Sequence, residues 1–177
     1  MKLVNSSYSA LPDWDGVPYV HRANLGVDAM RSDSNLGQLY TWWLWQRKGD
    51  LLPSANINWN CIEAGGLDLE LIHLVQFEKD APEHSQFMHC GVDAFEGQQD
   101  NTGRSPVDFY KPLFSETVIV DWATAAYFSS PSYQRIEHTA NGKPASFYRL
   151  LLPLTNESNK ISTHLLVGIV PETPRRD

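Results

Sequence analysis

Leu36, Leu39, Tyr40 and Trp43 fall at i, i+3, i+4 and i+7, the apolar stripe of a helix over residues 34–48. Asp33 or Ser34 is placed to cap its start, and Arg47 and Lys48 suit the negative end of its dipole. Gly49 can end it, and Pro53 forbids its continuation. The texture then changes to strands. Residues 70–79 hold Leu71, Ile72, Leu74, Val75 and Phe77, and residues 85–92 form a second candidate. The polar segment 78–83 between them predicts a hairpin. Residues 95–103 are polar and Gly-bearing, a loop or short helices, and Ser105-Pro106 starts another short helix. A longer helix over 115–128 carries Val118, Ile119, Trp122 and Ala126 on one face and is closed by Pro131. Three strands follow. Residues 133–139 alternate and are mostly polar, Asn141-Gly142 is a turn, and residues 147–154 and 163–170 are richly apolar around the polar loop 155–160.

This order predicts an α+β domain with a five-stranded antiparallel sheet, short helices on one face and an added N-terminal helix. Residues 1–32 lack a sustained period and read as a loosely ordered arm that Trp14 and Tyr19 could tack to the body. The domain covers 33–171, leaving 172–177 as a tail. The last two strands are apolar on both faces: Tyr148, Leu150, Leu152 and Leu154 alternate with Phe147 and Leu151, and Leu165, Val167 and Ile169 with Leu166 and Val170. The back of the sheet therefore needs a cover. The helix bearing Trp42, Trp43 and Trp45 could supply it, or the two surfaces could form a homodimer.

Several short runs carry a resemblance. They are Tyr40-Thr41-Trp42-Trp43 in the first helix, Leu52-Pro53-Ser54-Ala55-Asn56-Ile57, His89-Cys90-Gly91, Phe95-Glu96-Gly97, Thr102-Gly103-Arg104, Leu151-Leu152-Pro153-Leu154 and Leu166-Val167-Gly168-Ile169. In this order they resemble the PAS domain superfamily, and within it a bacterial subfamily of small single-domain proteins, over residues 34–171. The chain departs from the subfamily's Asp-Ile-Asp-Pro run, having Asn56-Ile57-Asn58-Trp59. The resemblance implies a sensor or adaptor in signal transduction and transfers no catalytic residue. A PAS-like sheet facing short helices would enclose a small cavity. Face assignment lines that cavity with Met88, Cys90, Val118, Trp122, Leu150, Leu152 and Val167.

Composition narrows the partners. With 42% hydrophobic residues the chain of 177 can bury a core, and the net charge of −7 with no basic run beyond Arg175-Arg176 speaks against nucleic acid or an anionic membrane. The N-terminus lacks a signal-peptide pattern and no run approaches about 18 apolar residues, so a cytoplasmic protein without a membrane span is expected. Cys61 and Cys90 then read as reduced thiols. With no room for an output module, the partner would be an unidentified signalling protein.

Candidate chemistry is sparse. His73, His84 and His89 could be brought together by the hairpin as a metal site or could offer a haem ligand, but their spacing matches no compact motif, and no metal or other cofactor is predicted. Cys90 and His89, adjacent on a strand, point to opposite faces and cannot act as nucleophile and base. No flavin-photochemistry motif surrounds either cysteine, and no Lys-Ser/Thr follows Gly97 or Gly103 as a phosphate loop would need. Asp121 reads as the wet side of its helix, with a buried acid as the other reading, and Arg149 as an exposed sheet residue, with a carboxylate-binding cavity residue as the other. Three functions compete: a sensor or adaptor of a small apolar ligand, a protein-interaction module with a filled core, and an isomerase-like enzyme using Asp121. A closed core at Trp122 would favour the second.

Overall fold

The computed structural model describes residues 20–91, 100–108, 112–140, 143–156 and 162–172. Several sequence expectations lie outside them: the first nineteen residues of the arm with Trp14 and Tyr19, Phe95-Glu96-Gly97, the Asn141-Gly142 turn, most of the 155–160 loop and nearly all of the tail. The elements are β1 (Val20–Leu25), α1 (Asn35–Gln46), α2 (Trp59–Ala64), β2 (Ile72–Gln76), β3 (Gln86–His89), α3 (Pro112–Phe128), β4 (Ser132–Ala140), β5 (Lys143–Leu154) and β6 (His164–Pro171). Short 3-10 turns fill several connections.

The strands form one antiparallel sheet in the order β1-β4-β5-β6-β2-β3. It has six strands rather than five, because Val20–Leu25, read as part of the arm, pairs along β4 from Val20 opposite His138 to Leu25 opposite Tyr133. A six-residue strand whose one strong β-former is Val20 gives little periodic signal, and its pairing comes from β4.

Helices cover both faces. Ser34 caps α1 by accepting from the Gly37 amide. Leu36, Leu39 and Trp43 of α1 pack on Leu150, Leu152, Leu154, Leu166 and Ile72. Gly168 of β6 makes this approach possible, since a Cβ there would meet the ends of Leu36 and Leu39 at 2.7 and 2.8 Å. β4 pairs with β5 only as far as Leu151, and the Trp43 indole donates to the Pro153 carbonyl just beyond at 2.8 Å. The sheet back is thus covered within the chain by the tryptophan-bearing helix. Trp59 starts α2 after Asn58, and α2 buries Ile62 in the same cluster.

α3 covers the other face. Val118, Trp122, Ala125 and Ala126 pack on Val75, Phe87, Leu151, Leu165, Val167 and Ile169. The outer edge at β3 is closed by Thr102-Gly103-Arg104: the Phe87 amide donates to the Arg104 carbonyl at 3.1 Å and the Gly103 amide to the Phe87 carbonyl at 2.7 Å. Among the described residues no helix is long and apolar enough to cross a membrane.

Candidate functional site

The seven residues assigned to one cavity do not share one space. Cys90, Val118, Trp122 and Val167 join the cluster beneath α3, whereas Leu150 and Leu152 face α1. The cause is register: Leu151 opposes Val167 across β5 and β6, so Leu151 is the residue that shares its face. Met88 is 49% exposed. Leu74 opposes His89 while Val75 opposes Phe87, and this bulge leaves Met88 outside the ladder and breaks the alternation between Met88 and Cys90.

Among the described residues, the protein's own side chains pack in the space beneath α3. Phe87, Val118, Trp122, Leu151 and Val167 are all buried, with Trp122 edge-on to Phe87. The Trp122 indole N–H is buried and has no acceptor among the described residues. Cys90 is buried, which pushes its thiol pKa up, and Cys61 is exposed; both are free thiols. A buried thiol of this kind is a poor nucleophile.

The three histidines reach three environments. His73 is buried beneath α3 beside Phe87, and its Nδ1 accepts from the Gly91 amide at 3.0 Å. Burial, with a smaller contribution from His89, pushes its pKa down to about 3. His84 is exposed in the turn, and His89 leans on Trp59 on the side of α2, ring centroids 4.6 Å apart. No three potential metal ligands come together among the described residues.

Asp121 is not on the wet side of its helix. It is 4% exposed and ion-paired with Arg149 of β5, itself 3% exposed, and with Arg22 of β1. Arg149 also donates to Gln134 Oε1 of β4 from Nε at 3.0 Å and from Nη2 at 2.7 Å, and Gln134 donates to Asn24 Oδ1 of β1 at 3.2 Å. Asn24, Gln134 and Arg149 lie opposite one another along a cross-strand row, and Arg22 lies two residues from Asn24. The face under α3 therefore carries a buried polar row from β1 through β4 to β5, beside the apolar cluster that includes Leu151 of β5. Sequence reasoning missed Gln134, because an interleaved polar residue on a strand ordinarily marks a solvated face, and Arg22, because its segment reads as an arm with no strand period.

A second feature is open. At the C-terminal end of α3 a cleft of about 600 Å³ is bounded by Phe77, Lys79, Ala123, Ala126, Phe128 and Ser162, among others. Tyr127 and Phe128 stand 75% and 69% exposed, their rings edge to face with centroids 5.2 Å apart. Ser129, which ends the helix, has φ of 49°. Its amide donates to the Ala126 carbonyl and the Ser130 amide to the Ala125 carbonyl, the bond pair of a Schellman cap.

Compared with protein-family models, with curated proteins and with solved structures, the chain has no match.

Proposed function

We propose that this chain is a PAS-like module that works by binding a partner protein at its surface rather than by catalysis, with an interior filled by its own side chains. The observation that carries the reading is the closed packing of Trp122 against Phe87 beneath α3, where an internal ligand would sit. The order of elements from α1 to β6, with two strands before α3 and three after it, is compatible with the PAS order. The cleft at the end of α3 supplies a concave, largely apolar surface, and Tyr127 and Phe128 are the residue type that anchors interfaces.

Asp121 does not serve as a catalytic acid or base in this reading, since both its oxygens are engaged by guanidinium groups. The test is a photo-crosslinking residue placed at Phe128 and, separately, at exposed Glu83, in cells that make the protein. A discrete adduct from position 128, absent from position 83 and lost on Tyr127→Ser, is the expected result. No adduct, or the same adducts from both positions, contradicts the proposal.

One observation favours the sensor reading. The buried Trp122 indole N–H without an acceptor is a group that a small ligand's oxygen would satisfy. Under that reading the interior opens to admit the ligand, and the protein would be purified with it bound.

A further inference from the structure

Two guanidinium groups from strands that are not neighbours, Arg22 of β1 and Arg149 of β5, converge on one carboxylate supplied by a third element, α3. The cluster is nearly dry: the side chains of Asp121 and Arg149 are 4% and 3% exposed and that of Arg22 16%. Gln134 holds the Arg149 guanidinium from the side through two hydrogen bonds to one oxygen, and Asn24 holds Gln134. The Arg149 guanidinium is thereby held from the sheet, by Gln134 of β4 and through it Asn24 of β1, as well as by the carboxylate it receives. Planar guanidinium groups presented this way match a carboxylate in charge and shape.

We propose that Arg22, Arg149 and Gln134 form a carboxylate-recognition site on the sheet, of which the Asp121 side chain is the resident occupant, and that a small free monocarboxylate can take its place. The site is independent of the interaction reading above, since it belongs to the sheet-facing side of α3. Its natural consequence is that a replaceable group adds a link between α3, β1 and β5 to the β1–β4 ladder and the apolar packing of α3. Binding from α3 is intramolecular, so the resident carboxylate outcompetes a free one in the unaltered chain.

The test removes the resident group. Asp121→Ala leaves room for formate or acetate between the two arginines. Thermal unfolding of this variant and of the unaltered protein is followed in about 0.3 M sodium formate, sodium acetate and sodium chloride at equal ionic strength. With a dissociation constant of about 10 mM, formate should raise the variant's Tm by about 5 °C more than it raises that of the unaltered protein. Acetate should do so less, and Arg149→Met in the same background should abolish the difference. If Asp121→Ala has no cooperative transition in chloride, recovery of one in formate is the supporting result. Equal shifts for variant and unaltered protein overturn the proposal, as does a variant unfolded in all three salts, because a site that accepts a small carboxylate would be completed by it.

Discussion

Trp122 of α3 meets Phe87 of β3 edge to face, with ring centroids 5.4 Å apart and planes at 84°. This contact ties α3 to the second strand of the hairpin, the edge strand β3, within the apolar cluster beneath α3. Removing the indole in Trp122→Ala leaves a large cavity and should cost about 3–5 kcal/mol in urea unfolding. Trp122→Phe should cost far less, because the indole N–H makes no bond among the described residues that could be lost. Equal losses for the two variants would mean that the N–H has a partner.

The Asp121–Arg149 pair should behave as a buried pair. Asp121→Asn leaves buried Arg149 and partly buried Arg22 short of their carboxylate and should destabilise by about 3–5 kcal/mol. Replacing both partners, as Asp121→Leu with Arg149→Met, should recover part of that loss, since apolar groups need no compensation there. A double-mutant cycle by denaturant unfolding reads the coupling. Strict additivity would show that the two side chains do not interact in solution.

His73 gives the fold a pH dependence of definite sign. Its folded pKa of about 3 lies below the ordinary value near 6.5, so the fold accepts only neutral imidazole. The stability tied to that neutrality is fully present above about 6.5 and is lost as the pH falls toward 3. At pH 5 the loss should be about 2 kcal/mol, at about 1.4 kcal/mol per pH unit. Burial pushes His164 down as well and adds in the same direction. His73→Asn keeps an acceptor for the Gly91 amide and should flatten the decline between pH 7 and 5. An unchanged slope would show that His73 titrates freely.

Ser129 sits where glycine is the usual helix terminator, with φ of 49°. Ser129→Gly should stabilise by about 0.5–1 kcal/mol, the relief of the left-handed conformation exceeding the added freedom of the unfolded chain. Gly103, at φ of 80° with nothing within 4 Å of a Cβ, gives the converse. Gly103→Ala should cost about 1 kcal/mol from conformation alone. Thermal melts of both variants check the pair of signs.

Local pattern carried most of the elements. The stripe Leu36, Leu39, Trp43 placed α1 and the face it buries, and the Leu150/Leu151 alternation correctly separated the two faces of β5. What the pattern did not hold is how one strand is set against the next. Leu150 and Leu152 were joined to Val167 because alternation alone does not say which face of β5 continues which face of β6; the pairing of Leu151 with Val167 does. Met88 was misplaced by a bulge, which has no sequence mark here. Asp121 and Arg149 each look solvated when read alone. They become a buried pair only when α3 is laid across β5, with Arg22 brought in from a strand about a hundred residues before Asp121 in sequence.

In the proposed reading the space beneath α3 is filled by the protein's own side chains and binding occurs at the surface. Native mass spectrometry of the protein purified from the cells that make it, compared with its denatured mass, tests this most directly. The account predicts one mass per chain, that of the bare polypeptide, in both spectra. An additional non-covalent mass that survives in the native spectrum and disappears with Trp122→Ala would contradict it and establish an internal ligand instead.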